Sequence, residues 1–338
     1  MSTVLVTGGA GFIGSHLVER LLEGGAAVRI LDNLSTGSLR NLQGVVDRLR
    51  APGDSPGGDR RSGQLEVIIG DVRDRELVRT ATRNVDAVFH LAALPSAAPG
   101  RAGAAELESV NVQGTLNVLQ AAVAEGVGRL VFASSASVYG TPESLPVSET
   151  SPLKPESLFA ASKLVAETYC RTYGTIHNLD VVSLRYFTVY GPRQGNATDD
   201  ALIPELIEIV RHQPATMPRH GSTAEDLTYV DDAVEATCSA AAAPKAAGQA
   251  INIGSGRMSS VLEILPILYD LLKVSPVAAS KLGAPGRSSR VQAAVTLAAD
   301  LLGCTPQVSL VTGLGRVVRA MTDPETFDGR PLVGSQAG

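Results

Sequence analysis

The sequence predicts an α/β fold, a Rossmann-type doubly wound parallel sheet with a smaller C-terminal substrate-binding region. Three observations carry that prediction. Short β-branched runs alternate with helical patterns, a glycine-rich turn links the first run to the first helix, and 44% of the 338 residues are hydrophobic while only 4% are aromatic. A core so poor in aromatics must be built from Ala, Val, Leu and Ile, which suits a parallel sheet buried under helices.

Residues 4–6 read as the first strand, 15–23 as a helix, and 27–31, 66–69 and 87–91 as further strands. Strands separated by helices imply right-handed βαβ units. The alternation continues with a helix over 106–125, a strand over 129–134, a helix over 158–173 and a strand over 180–185. Between 48 and 63 the chain turns to Pro, Gly, Arg and Asp, the composition of a surface insertion with nothing to bury. Beyond Arg185 the alternation weakens, so residues 191–338 are expected to supply the last strands and a substrate-covering region.

The formal charge is 29 − 34 = −5, without the clustered basic excess of a nucleic-acid binder. The three cysteines, Cys170, Cys238 and Cys304, form no ligand or disulfide spacing, so no metal is expected. No apolar run approaches the ~18 residues of a membrane span, and the start of the chain has no basic leader, which makes a cytoplasmic protein the expectation.

Gly8, Gly9, Gly11 and Gly14 follow the first strand and open the first helix, with Phe12 and Ile13 between the last two. Glycine is needed there because the turn is tight and the backbone must approach a pyrophosphate at a helix N-terminus. Asp32 ends the second strand, 18 residues after Gly14, where its carboxylate can bond an adenosine ribose and repel a 2′-phosphate. NAD is therefore expected rather than NADP, held by residues 1–190 with strands also contributed from the C-terminal half. Asn33 follows Asp32, and Asp71 with Val72 ends the third strand, a candidate contact for the adenine edge.

Further along stand His90-Leu91-Ala92-Ala93, Asn111-Val112-Gln113-Gly114-Thr115, Ser134-Ser135-Ala136-Ser137-Val138-Tyr139-Gly140 and Tyr186-Phe187-Thr188-Val189-Tyr190-Gly191-Pro192-Arg193. With the glycine loop these make the chain resemble the extended short-chain dehydrogenase/reductases, and within them the sugar-nucleotide epimerases and dehydratases. The resemblance implies tightly held NAD as an internal redox relay that oxidises a substrate hydroxyl to a transient ketone and then reduces it again. It also implies cofactor contacts at Leu91, Ala92, Ala93, Ser134, Tyr186 and Val189. A homodimer through the helices near 106–125 and 158–173 is implied as well. His90 reads as a packing residue, and Asn111 matches a position that organises the active-site helix.

The family's usual apparatus is a Tyr-x-x-x-Lys pair with a Ser or Thr about 24 residues earlier. The tyrosine takes the proton, the lysine lowers its pKa and holds the nicotinamide ribose, and the hydroxyl bonds the substrate. Here Ser135 and Lys163 are present, but Phe159 stands at the tyrosine position. A phenyl ring has no ionisable proton, and loss of a positioned base costs about 10²–10⁴ in rate. Three readings are open: a Tyr→Phe variant that traps its ligand, an enzyme using another base, or a non-catalytic NAD-binding regulator.

The 4,6-dehydratases carry an Asp-Glu pair where this chain has Ala136-Ser137, which points to epimerisation of a UDP-hexose type substrate. The stretch around Thr188 and Arg193 looks like UDP-glucuronate 4-epimerases, whereas residues 91–96, ending at Ser96, are similar to UDP-N-acetylglucosamine 4-epimerases. Ser96, Ser135, Ser137, Thr188, Arg193 and Arg290 are the expected substrate contacts. Relatives that bind diphosphate sugars usually place Arg where this chain has Glu225, and a second where it has Ser289. The alternative substrate is thus an unphosphorylated sugar or nucleoside, dehydrated to an exocyclic alkene as in antibiotic biosynthesis.

Overall fold

The computed structural model describes residues 2–50, 64–95, 103–195, 201–212, 224–275 and 290–322. Chain order begins β1 (Thr3–Thr7), α1 (Phe12–Glu23), β2 (Ala27–Asp32), α2 (Gln43–Arg50), β3 (Leu65–Ile69), α3 (Arg75–Thr82) and β4 (Ala87–His90). α4 (Ala104–Leu107) passes through a π-helical stretch, Glu108–Gln113, into α5 (Gly114–Ala124). β5 (Arg129–Ser135), α6 (Leu158–His177), β6 (Asp180–Tyr186), β7 (Thr188–Tyr190), α7 (Leu202–His212), β8 (Ala224–Tyr229) and α8 (Val230–Ala242) follow. The chain closes with β9 (Ala250–Ile253), β10 (Met258–Ser260), α9 (Val261–Leu272), α10 (Thr296–Leu302) and α11 (Leu310–Thr322).

Seven parallel strands form the main sheet in the order β3-β2-β1-β4-β5-β6-β9. The order reverses between β1 and β4, and ligands bind outside the carboxyl ends of the strands at such a switch point. β6 buries every residue after Asp180, Ser183 and Arg185 included, as a strand covered on both faces does. One face packs Leu17 and Val18 of α1 against Val230 and Val234 of α8 and Ile264 of α9. The other packs Val78, Val118, Leu119, Ala166 and Cys170 from α3, α5 and α6.

A smaller sheet, β10-β8-β7, stands beyond the carboxyl end of β6, with β7 starting at Thr188. It lies within the region read as weakly alternating, where three-residue strands are too short to show a period. α1 begins at Phe12 rather than 15, so the glycine loop leads into the helix with only Gly11 as its cap. Most of the 48–63 insertion lies outside the described residues.

Candidate active site

The glycine loop is closed to side chains. Gly8 has φ +72°, and a Cβ there would lie 2.7 Å from the Ala92 nitrogen; at Gly14 it would lie 2.1 Å from the Gly8 oxygen. That packing brings loop, helix and the Leu91–Ala93 backbone together, as close phosphate approach requires. No side chain caps α1, whose first N–H groups are thereby available to an anion.

Asp32 is buried, with Oδ2 accepting from the Ala10 amide at 2.9 Å and Oδ1 from the Leu34 amide at 2.8 Å. Those bonds aim the carboxylate and leave further lone pairs for ribose hydroxyls. Asp71 is gripped by Arg73, Nε to Oδ1 at 2.9 Å and Nη2 to Oδ2 at 2.7 Å, and receives Asn33 Nδ2 at 2.8 Å. The Arg73 hydrogen bond holds the Asp71 carboxyl well below the usual carboxylate range. Val72 is buried beneath, against Gly114.

His90 is a link in a chain of hydrogen bonds. Ala92 N–H donates to Thr7 Oγ1 at 3.2 Å, and Thr7 Oγ1 meets His90 Nδ1 at 2.7 Å. His90 Nε2 meets Thr115 Oγ1 at 2.9 Å, and Thr115 donates to the Asn111 carbonyl at 2.6 Å. Because the Thr115 proton is spent on a carbonyl, Nε2 carries the imidazole hydrogen and Nδ1 accepts from Thr7. Burial first, and the Lys163 charge second, push the imidazole pKa down to about 3, so the ring is neutral. Asn111, in the π-helical stretch, binds Leu94 through both amide atoms and donates to Ser162 Oγ at 2.9 Å, which donates to the Phe159 carbonyl at 2.8 Å. The end of β1, the end of β4 and the start of α6 are thus fixed to one another.

Ser135 ends β5 and caps the following turn. Its Oγ accepts from Ser137 N at 3.1 Å and from Ser137 Oγ at 2.9 Å, which fills both lone pairs and leaves its hydroxyl proton to donate. Lys163 is buried on α6, one turn from Phe159, with Nζ donating to the Ala133 carbonyl at 2.8 Å. Nζ lies 5.1 Å from the Phe132 ring centre and 5.8 Å from that of Phe159. Burial lowers the ammonium pKa to about 8. Behind them Ser134 donates to Glu167 Oε2 at 2.6 Å, and Arg185 joins Glu167 and the Tyr139 hydroxyl. Tyr139 in turn donates to Asn252 at 2.7 Å, so its phenol is committed and does not replace the one missing at Phe159.

Ala136, Leu164, Phe187, Val291 and Ala293 share one apolar cluster, which sets the start of the small sheet beside Ser135 and Lys163. There Thr188 Oγ1 donates to Glu225 Oε2 at 2.7 Å, and exposed Arg290 pairs by backbone with Ala224. Arg193 is turned away onto α1, with Nη2 to Glu19 at 2.7 Å and Nη1 to Ser15 at 3.4 Å. The Tyr186 hydroxyl meets Thr237 of α8 at 2.7 Å inside the core, and Val189 is buried in the same core. These three side chains are thus engaged with α8, the core and α1. Ser96 lies outside the described residues.

The sequence profile of the NAD dependent epimerase/dehydratase family matches residues 4–254. The chain belongs to this family. Its members are enzymes, so the regulator reading falls away at the level of family, and the glycine cradle, open α1 terminus and Asp32 fit the family's nicotinamide cofactor. The UDP-glucose 4-epimerase of Mycolicibacterium smegmatis is 34% identical over 329 residues, spanning 93% of this chain and 96% of that one. A dTDP-glucose 4,6-dehydratase double mutant of Streptomyces venezuelae, solved with NAD, superimposes with TM-score 0.81 at 34% identity, covering 95% of this chain and 97% of that one. The Thermus thermophilus UDP-glucose 4-epimerase complex with NAD gives 0.78 at 32% identity, with coverage of 94% and 97%.

Sequence reasoning missed Arg185 and Asn252, which with Glu167 and Tyr139 form the buried frame under the family's serine and lysine. An Arg within a buried strand was the available signal. His90 does more than pack.

Proposed function

We propose that this enzyme is a UDP-hexose 4-epimerase working through a transient 4-keto sugar, with residues 1–190 and β9 holding NAD and residues 191–338 mainly covering the sugar. The arrangement of Ser135 and Lys163 beside the glycine cradle carries this reading. Bound NAD supplies a hydride acceptor that later returns the hydride. Ser135, its lone pairs occupied, donates to the sugar oxygen and stabilises negative charge developing there. Asp32 selects the adenosine ribose, Lys163 faces the reacting end, and the Asn111–Ser162 bonds hold α6 in register with the loop after β4. The sequence Ala136-Ser137 offers no carboxylate pair for eliminating water in the manner of 4,6-dehydratases.

The protein would be incubated with UDP-glucose, UDP-galactose, UDP-N-acetylglucosamine and UDP-glucuronate, and the products separated by chromatography. Interconversion of one 4-epimeric pair supports the reading, and inertness toward all four refutes it. Glu225 favours one second reading, a substrate without a diphosphate that undergoes dehydration, because a carboxylate bonded to Thr188 repels a pyrophosphate. Calorimetric titration separates the two: tight UDP-sugar binding removes the second reading, and binding of unphosphorylated nucleosides alone removes the first. A cytoplasmic homodimer through α5 and α6 accompanies the proposal, supported by the exposed apolar side chains of α6.

A further inference from the structure

Resting on the redox reading above, we propose that Lys163 is itself the proton acceptor of this site, taking the place of the phenol that Phe159 lacks. Three features of the geometry lead there. Ser135 is a donor only, since Ser137 fills its acceptor positions. A substrate hydroxyl held by Ser135 must therefore pass its proton to some other group. Phe159 has none to receive it, Tyr139 spends its hydroxyl proton on Asn252 beneath Arg185, and both nitrogens of His90 are bonded to threonines.

Glu225 is engaged at Oε2 by Thr188, and among the described residues Lys163 is the basic group on the same face of α6 as Phe159, four residues on. Its Nζ makes one bond among the described residues, to the Ala133 carbonyl, and otherwise meets the Phe132 and Phe159 rings. A neutral amine keeps that bond with one hydrogen and still has a lone pair to offer. Nearby titratable groups do not oppose this. Glu167, one turn away, is neutralised by Arg185 and Ser134; Cys170 is a buried thiol held protonated; and His90 is neutral. Burial without a carboxylate partner brings the ammonium down to about 8, which makes the free amine available in mildly alkaline solution.

The step balances. The carbinol C–H leaves as hydride with both bonding electrons to the oxidised nicotinamide, the O–H proton goes to the amine, and the carbonyl forms as the ammonium forms. Reduction of the ketone from its other face runs the same transfers backwards.

The test uses the NAD-loaded full chain, with the five lysines labelled at Nζ. Lys163 is identified by loss of its resonance in Lys163→Arg and titrated by NMR. A midpoint near 8 is expected, and one at the ordinary lysine value of about 10.4 overturns the proposal. In parallel, epimer interconversion is followed against pH for the wild type, Lys163→Arg, Phe159→Tyr and Phe159→Leu. The wild-type rate should rise with pH along the NMR titration, and Lys163→Arg should lose at least ~10²-fold. Phe159→Leu should keep the wild-type inflection, whereas Phe159→Tyr should move it to lower pH. Turnover by Phe159→Tyr alone, or turnover retained by Lys163→Arg, overturns the proposal. If every variant is inert toward UDP-sugars, the epimerase reading fails, and the Nζ midpoint alone decides for or against the lysine.

Discussion

Glu167 and Arg185 meet side chain to side chain at 2.5 Å beneath the carboxyl ends of β5 and β6, almost fully withdrawn from water. The same carboxylate receives Ser134, the neighbour of the proposed substrate donor. Removing one partner leaves the other charged, buried and unpaired, which costs about 3–5 kcal/mol. Glu167→Gln should lower the urea midpoint accordingly, while Ser134→Ala should cost about 1 kcal/mol. An unchanged midpoint in Glu167→Gln would show that the pair contributes nothing to the fold.

His90 gives stability a pH dependence with a definite sign. Its folded pKa of about 3 lies below the ordinary imidazole value of 6.5, so below pH 6.5 the unfolded chain binds a proton that the native ring refuses. The neutral ring's contribution is intact above the unfolded pKa and declines as pH falls toward 3, by about 1.4 kcal/mol per pH unit at most. His90→Gln should weaken the protein at neutral pH and flatten the His90 component of that slope. Denaturant titrations of both proteins between pH ~7 and ~4.5 measure the difference.

Gly14→Ala should abolish tight NAD binding. The added methyl would sit 2.1 Å from the Gly8 oxygen, and the loop must shift to relieve it. Gly44→Ala is the control: its Cβ meets nothing within 4 Å inside α2, and helix propensity should add up to about 1 kcal/mol. Calorimetry with NAD on both variants reads the contrast, and undiminished binding by Gly14→Ala contradicts the cradle.

Asp32 should set the choice between NAD and NADP. Asp32→Ser removes the repulsion of a 2′-phosphate and the charge-assisted bonds to ribose, each worth about 1.5–3 kcal/mol. NAD should bind at least ~10-fold more weakly, and the gap between the two cofactors should narrow. Competition binding with both nucleotides checks it. A preference for NAD that survives the substitution would assign the selectivity elsewhere.

Along α6, Leu158 (59% exposed), Val165 (44%), Tyr169 (39%) and Ile176 (68%) face outward at helical spacing. For the proposed dimer these would be its core, and Val165→Asp should shift the solution mass to that of one chain. Light scattering over a dilution series measures this. A wild type that is monomeric at all concentrations rules out the dimer.

The N-terminal half of the fold was legible because its signals are local. Periods of two and of 3.6 residues alternate cleanly through Arg185, and the loop glycines and Asp32 are adjacent to the strands that present them. Beyond that point contacts are made at a distance. Tyr186 matches a cofactor motif, yet the pleat of β6 turns its ring toward Thr237, fifty-one residues on. Arg193 reads as a substrate contact, but its guanidinium is bonded to Glu19, 174 residues earlier on α1. The strands at Thr188–Tyr190 and Met258–Ser260 leave no period to detect. The decisive position was legible outright, because the absence of an oxygen at Phe159 is a fact of the sequence.

The place of β9 bears on how the chain matures. Its four residues pair with β6, from Ser183↔Ala250 to Tyr186↔Ile253. A nascent chain leaving the ribosome therefore displays β6 as an open edge until β7, β8 and α8 have been synthesised and β9 follows. The strand so displayed is buried at every position after Asp180 in the finished fold, the type of edge that invites pairing with another molecule. A fragment ended after residue 190 would carry that edge permanently. The strand supplied from the C-terminal half thus shields the first six strands of the main sheet from edge-to-edge aggregation.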